Sequence, residues 1–415
     1  MGSQKALLVI CDGMGDRVER EFGNETPLGF AKTPTFDRLA SAGSVGLMDP
    51  ISPGVRPGSD YATTALLGYD PRVCYMGRGG LEAAGAGIDL SPGDVAFRCN
   101  FSTVDDDLTV IDRRAGRIER GTIEIAETIR KIQPKGIKGL KIDFRATVAH
   151  RGVLIFRGRG FSRMVSDVDP HVTGVKILKC EPLDDSTAAK RTAAAVNDFV
   201  TQSFNVLKNH RVNVERIGER KRPANIVLTR GAGTLPPFKP LLELYGMSVA
   251  CVAAVALVKG VCRIAGAELI AAEGATGGLD TNYEGKARAA LKALENHDLV
   301  ILHVKAPDVA SHDGDFKKKA SVIERIDEAV GKILPSLDAS STYVLVTADH
   351  ATPVSVRDHA GNPVPLLING PGVPSSKVSK FSENAASRGN LGRLHGLDLM
   401  PVISDYLGKA KKLGF

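Results

Sequence analysis

Leu7-Leu8-Val9-Ile10-Cys11-Asp12-Gly13-Met14-Gly15-Asp16 is the stretch whose reading decides the fold. An apolar, β-favouring run that ends abruptly in an acid and two glycines reads as a buried strand followed by a tight turn. The same kind of run recurs at Ile226-Val227-Leu228, Leu299-Val300-Ile301-Leu302 and Tyr343-Val344-Leu345-Val346. Continuous rather than alternating hydrophobicity predicts strands covered on both faces, as in a mostly parallel sheet. Helical patterns lie between them. The clearest runs from Phe316 to Leu334, with Ile323, Ile326, Val330 and Ile333 on one face and charges on the other. Strands alternating with helices imply a layered α/β domain. The stretch from 105 to 190 differs, because its strand-like Val153-Leu154-Ile155-Phe156 is flanked by arginine-rich segments. It reads as a smaller inserted α+β domain, which makes the core discontinuous over 1–104 and 191–415. Residues 205–223, basic and polar, read as a helix leading back to that core.

A chain of 415 residues with 43% hydrophobic and 24% charged residues fills two cores and is not a disordered polymer. Its net charge of +7 suits an anionic ligand. Nucleic acid is disfavoured, because the basic residues are scattered, aromatics are 5% with no Trp, and no nucleic-acid-binding signature is present. The six cysteines form no C-x-x-C pair, which fits reduced thiols in a cytoplasmic protein. The longest apolar run, Val249 to Val258, falls short of the roughly 20 residues of a membrane span. The sequence carries no signal of oligomeric state.

Ligands of open α/β sheets sit beyond the carboxyl ends of the strands. Metal-type side chains stand at four such places: Asp12 after the first strand, Asp308 and His312 after the strand ending near His303, Asp349 and His350 after Val346, and His359 in a following loop. Any one of these alone reads as a helix cap or a surface histidine. Their repetition at successive strand ends points instead to divalent metal, since imidazole suits transition ions and carboxylates offset their charge. Six such residues suffice for two ions. Pro57-Gly58-Ser59-Asp60 places a serine at the start of a helix, where free N–H groups favour phosphate. Ser59 is the candidate nucleophile, with Thr63 and Thr64 as rivals.

The order Asp12, Ser59, Asp308, His312, Asp349, His350, His359 resembles the alkaline phosphatase superfamily, and within it the cofactor-independent phosphoglycerate mutases. Gly77-Arg78-Gly79-Gly80-Leu81-Glu82-Ala83-Ala84-Gly85, Phe97-Arg98-Cys99-Asn100-Phe101, Asp112-Arg113-Arg114-Ala115-Gly116-Arg117, Asp169-Pro170-His171-Val172-Thr173-Gly174 and Gly274-Ala275-Thr276-Gly277-Gly278 are similar to the archaeal type. The resemblance covers nearly the whole chain. It implies an alkaline-phosphatase-like three-layer core with two divalent ions drawn from Mn, Zn, Co or Mg. One ion is expected on Asp308, His312 and His359, the other on Asp12, Asp349 and His350, joined by Ser59 when deprotonated.

The implied reaction interconverts 2-phosphoglycerate and 3-phosphoglycerate in glycolysis and gluconeogenesis through a phosphoserine at Ser59, without 2,3-bisphosphoglycerate. Glycerate is expected to stay bound between the two domains while it turns. For the substrate's anionic groups the expected partners are Arg113, Arg114, Arg151 and Arg157, since guanidinium pairs bidentately with carboxylate and phosphate. His150 and His171 are further candidates for proton transfer or phosphate contact, and Lys305 lies close to the metals in sequence. A phosphomonoester or phosphonate hydrolase, or another phosphosugar mutase, uses the same serine and metals. The arginine-rich insert weighs against the hydrolase.

Overall fold

The computed structural model describes residues 4–137 and 139–412. The chain divides into two compact units, one made of Met1–Tyr75 with Phe238–Phe415, the other of Met76–Pro237. In chain order the strands are β1 (Lys5–Cys11) and β2 (Ser44–Asp49) in the first unit, then β3 (Val95–Val104), β4 (Val110–Asp112), β5 (Lys141–Ala146), β6 (Arg151–Arg157) and β7 (Ile226–Gly233) in the second. The first unit resumes with β8 (Val249–Val252), β9 (Glu268–Leu269), β10 (Leu299–Val304), β11 (Thr342–Thr347), β12 (Val364–Asn369) and β13 (Gly392–His395).

The first unit is built on one sheet of order β13-β2-β12-β11-β1-β10-β8-β9. Only β12 pairs antiparallel with its neighbours, so the sheet is mixed but mostly parallel. Every residue of β10 and β11 is buried, as are all but the first of β1. Side chains alternate between faces along a strand, so burial at every position means that both faces are covered and the unit has three layers. A large-to-small change there, such as Leu8→Ala, would cost about 2–5 kcal/mol. The helix Phe316–Ile333 buries Ile323, Ile326, Val330 and Ile333, and Asp315 caps it by accepting from Lys318 N at 2.9 Å. Register then fixes the site's floor. Cys11 lies beside Val304, and Ile10 beside Thr347, so the residues that follow three parallel strands emerge together at one edge.

The second unit holds a five-stranded antiparallel sheet, β4-β3-β6-β5 with β7 on the other side of β3. Phe97, Phe101, Phe144 and Phe156 form its core with residues of the helices Thr122–Ile129 and Thr187–Leu207. On the opposite face Ala83, from the helix Arg78–Gly85, packs with Ala96, Val153 and Ile155. That helix lies so close to the sheet that a Cβ on Gly79 would sit 1.9 Å from the Ala96 carbonyl oxygen, which explains the paired glycines of Gly77-Arg78-Gly79-Gly80.

This unit is wider at both ends than the expected insert, 105–190. β3 bonds to both β6 and β7, and no boundary can fall between strands that share one ladder. Ile226-Val227-Leu228 accordingly belongs to the antiparallel sheet, not to the parallel one expected from its apolar run. Hydrophobicity alone does not say which sheet a buried strand joins. Among the described residues no helix is long and apolar enough to cross a membrane, and all six cysteines are free.

Candidate active site

At the carboxyl edge of β1, β10 and β11, Asp12, Asp308 and Asp349 are all buried, at 0–2% exposure. Lys305 stands among them, with Nζ 2.8 Å from Asp12 Oδ1, 2.7 Å from Asp308 Oδ2 and 3.3 Å from Ser59 Oγ. Ser59 opens the helix Ser59–Leu66. Gly58 is its N-cap residue, so the serine hydroxyl is not consumed in capping. Ser59 Oγ lies 3.2 Å from His350 Nε2, which is itself 3.4 Å from Asp12 Oδ1 and 3.4 Å from Asp349 Oδ2. His312 Nε2 and His359 Nε2 approach Asp308 at 3.4 and 3.5 Å. The candidate set thus falls into trios whose ligand atoms all lie within 4.8 Å of one another: Asp308 with His312 and His359, and Asp12 with Asp308 and His350. A third trio joins Asp12, Asp349 and His303.

The hydrogen bonds around the imidazoles decide whether metal fits. His312 Nδ1 is 2.8 Å from Arg357 O, and His359 Nδ1 is 2.8 Å from Pro57 O. A carbonyl only accepts, so each Nδ1 carries the proton and each Nε2 is left to face Asp308. His350 Nδ1 meets Thr352 Oγ1 at 3.0 Å, and Thr352 gives its own proton to Asp308 Oδ1 at 2.9 Å. Three Nε2 atoms therefore face carboxylate oxygens, the orientation that metal-ligating histidines take from their outer hydrogen bonds. Asp349 Oδ2 is buried and accepts no hydrogen bond. Three buried carboxylates beside one lysine also leave a deficit of positive charge that divalent ions would fill.

The electrostatics agree. Burial, then Asp12, pushes Asp349 well above the usual carboxylate range. Asp308 also suffers from burial, yet hydrogen bonds from His312 and His359 and the Lys305 charge carry it below that range. In return the hydrogen bond to Asp308 raises His312 to about 9, so without metal its Nε2 carries a proton as well, one that an ion bound there would displace. Burial lowers His350 to about 3 and so keeps it neutral. Burial would likewise lower Lys305, but Asp12 and Asp308 hold its pKa above the ordinary value.

In the second unit, Arg98, Arg151 and Arg230 share one face of the sheet, because Arg98 pairs with Arg230 and Arg151 with Asn100, two residues on. Arg78 and Arg98 both contact Glu82, at 3.1 and 3.4 Å. Arg98 is lowered to about 9 by burial and by the Arg78 charge. His150 is lowered to about 4 by burial and then by Arg151 and Arg114. Arg113 grips Asp169 through two bonds of 2.7 Å, and His171 lies 3.5 Å from Arg113 Nη2 and 3.3 Å from Arg230 Nη1. Arg98 Nε, Asn100 Oδ1 and His150 Nδ1 are buried without a hydrogen-bond partner. Open polar atoms in a basic cluster suit an anion that also carries hydroxyl groups. Arg157 is not brought there. It sits about 20 Å along the strand from Arg151, bonded to Asp94 at 2.8 Å and Asp143 at 3.2 Å.

The model of a family described as 2,3-bisphosphoglycerate-independent phosphoglycerate mutase matches residues 40–213. A protein of that name from Methanothermobacter thermautotrophicus is 44% identical over 99% of this chain and 100% of its own length. One from Methanopyrus kandleri is 47% identical over 99% of this chain and 98% of its own. The chain belongs to this family. A solved cofactor-independent phosphoglycerate mutase from Thermoplasma acidophilum superposes with a TM-score of 0.71 at 34% identity, covering 98% of this chain and 100% of the other. A Pyrococcus horikoshii protein superposes with a TM-score of 0.86 at 36% identity over the full length of both chains.

For a member of the family, the sequence reading missed several residues that the structure brings into these clusters. His303, with Nε2 2.9 Å from Asp12 Oδ2, was signalled only as an ionisable residue closing an otherwise apolar strand. Thr352 had no signal beyond lying two residues after His350. Lys319 and Asp16, buried 2.7 Å apart, are further cases. Lys319 Nζ also bonds Gly15 O and Thr352 O, and so ties the loop after β1 to the loop after β11. Arg78, Arg98 and Arg230 were hidden because they are far apart in sequence: Arg98 meets Arg230 through strand pairing, and Arg78 meets Arg98 across Glu82 of its own helix.

Proposed function

We propose that this chain interconverts 2-phosphoglycerate and 3-phosphoglycerate through a phosphoserine at Ser59, independently of 2,3-bisphosphoglycerate. The observation that carries the reading is the setting of Ser59. Its oxygen opens a helix and lies 3.3 Å from the Lys305 ammonium and 3.2 Å from His350, beside a cluster of carboxylates and histidines that fits metal. Two divalent ions, one on Asp308, His312 and His359 and one on Asp12, Asp349 and His350, would lower the pKa of a neighbouring hydroxyl and offset phosphoryl charge. Mn, Co, Zn or Mg fits such mixed ligands.

Ser59 gives up its hydroxyl proton as Oγ forms a bond to phosphorus, and the substrate's ester oxygen leaves and takes up a proton in exchange. The Lys305 ammonium and the free N–H groups of the helix start attract the incoming phosphate. Arg78, Arg98, Arg114 and Arg151 hold the substrate's anionic groups, with Arg113 and His171 alongside. Neutral His150 carries one proton and one free acceptor for a substrate hydroxyl. The freed glycerate stays held; its other hydroxyl loses its proton and bonds to phosphorus as the Ser59 Oγ–P bond breaks and Oγ takes a proton back. Exclusion of water distinguishes this from hydrolysis. Family membership and the reduced cysteines support a cytoplasmic glycolytic role.

The test is incubation with 3-phosphoglycerate and Mn, without bisphosphate, followed by phosphorus NMR. The expected product is 2-phosphoglycerate. Stoichiometric inorganic phosphate would mean a hydrolase instead, and dependence on added bisphosphate would defeat the proposal.

A further inference from the structure

The helix Tyr283–Ala293 packs against β10, β8 and the helix Phe316–Ile333, and it buries Ala287 and Ala290. Among its buried residues is Lys286, at 0% exposure, and Nζ has no hydrogen-bond partner. Cores rarely keep an ammonium in this condition, because burial penalises the charge and nothing returns the lost hydration. Burial accordingly lowers Lys286 to about 8, and Cys251 and Asp12 act against the fall. Its charge also bears on His303. His303 is wholly buried, with Nε2 2.9 Å from Asp12 Oδ2 and Nδ1 without a partner. Asp12 as a carboxylate only accepts, so the His303 proton belongs on Nε2 and Nδ1 is a bare acceptor. Cys251 is in register with Ile301, two residues before His303, so Cys251 and His303 leave the sheet on the same buried face, and the Lys286 charge acts on both: an ammonium lacking an acceptor and an imidazole nitrogen lacking a donor share that face.

We propose that Lys286 is a positioning residue for Asp12: across one buried water it donates to His303 Nδ1, which locks the His303 proton onto Asp12 Oδ2 and aims Asp12 at its metal. A single water with polar partners on two sides is how buried orphans are commonly answered. Lys305 holds the other Asp12 oxygen, at 2.8 Å, so the carboxylate is fixed from both ends. The arrangement also explains why the helix keeps a lysine where methionine would fill the same space without the cost of burial. The inference rests on the reading that Asp12 holds a metal, and the experiment separates the two.

The full chain and its Lys286→Met variant are titrated with Mn, the free ion being read by its EPR signal. A His359→Ala background identifies the class of site that depends on Asp308, His312 and His359. Lys286→Met should weaken the Asp12 class by about 10- to 100-fold, the usual effect of losing an outer partner of a ligand. The other class should stay within about twofold of wild type, and the melting temperature should hold or rise. A lysine serving only the fold would leave both classes alone. In ¹⁵N NMR of the Mn-free protein, His303 should be protonated at Nε2 in the wild type and turn to mixed tautomers in the variant. Wild type that binds no Mn overturns the metal reading itself. Wild-type binding with an unchanged Lys286→Met variant overturns only the role of Lys286. Should that variant fail to fold, the wild-type tautomer decides, since a His303 protonated at Nδ1 has no place for a donor there.

Discussion

Thr352→Val tests whether one hydroxyl couples the two halves of the metal-type cluster. Thr352 is fully buried, accepts from His350 Nδ1 at 3.0 Å and donates to Asp308 Oδ1 at 2.9 Å. Valine keeps the shape and removes both bonds. The His350 N–H becomes a buried donor without an acceptor, at a cost of about 1–3 kcal/mol. That cost is relieved when the imidazole moves its proton to Nε2, the atom that faces Ser59 and Asp12, and the relief comes at the expense of ligation. An outer hydrogen bond lost from a metal ligand weakens affinity by about 10- to 100-fold. At about 1.36 kcal/mol per decade that is about 1.4–2.7 kcal/mol, within the range expected for the orphaned donor. Because Asp308 stands in the trio with His312 and His359 as well as in the one with Asp12 and His350, Mn or Co titration should show both classes of site weakened, whereas Lys286→Met weakens one. Thr352→Ser, which keeps the hydroxyl, should restore most of the affinity. A valine variant that binds two ions as tightly as wild type would refute the coupling.

Ser59→Ala should lower isomerisation on the order of 10³-fold or more and abolish the mass increase of one phosphoryl group in acid-quenched protein; turnover within tenfold of wild type would redirect attention to Thr63 or Thr64. Chelation should abolish turnover and Mn or Co should restore it, and full activity in metal-stripped protein would defeat the two-ion reading. His150, lowered to about 4 by burial and neighbouring arginines, should make stability pH-dependent. The unfolded histidine takes up a proton near pH 6.5 and the folded one does not, so its contribution is present above about 6.5 and is lost as pH falls through about 4. His150→Gln should flatten that acid limb in chemical denaturation, and an unchanged limb would remove His150 from the cause.

The sequence carried the parallel α/β core, the helix over Phe316–Ile333 and the residues at the strand ends, because buried strands and amphipathic helices leave a local period. It could not say which sheet takes Ile226-Val227-Leu228, since register and partner are settled by packing far along the chain. Arg151 and Arg157 show the same limit at the level of side chains. They are six residues apart on one strand and share a face, so periodicity treats them alike. Only the neighbours at each end separate them: Asp94 and Asp143 pair with Arg157, while burial and the charges of Arg78 and Arg114 lower Arg151 against the pull of Glu82. The metal-type residues were legible for the opposite reason. Asp12, Asp349 and His350 come directly after strand ends, and Asp308, His312 and His359 lie in the helix or loop beyond, so the sheet order itself gathers them, whereas Lys286 and His303 face inward and look like misplaced core residues.

The two clusters differ in sign, and that difference makes metal binding and anion binding separately measurable. In the first unit the unsatisfied atoms include acceptors, Asp349 Oδ2 above all, among buried carboxylates. In the second they include Arg98 Nε among guanidiniums that lower one another's pKa. A dication answers the first set and an anion the second. Phosphoglycerate, with a carboxylate as well as a phosphate, can engage arginines without any metal. Chelated protein should then still bind 3-phosphoglycerate, and the bound anion should offset the arginine charges that depress His150. Its imidazole pKa, followed by NMR, should rise from about 4, with or without metal. If the rise appears only in metal-loaded protein, the basic cluster does not bind substrate by itself, and the arginines' part in recognition would depend on the phosphoryl site being filled first.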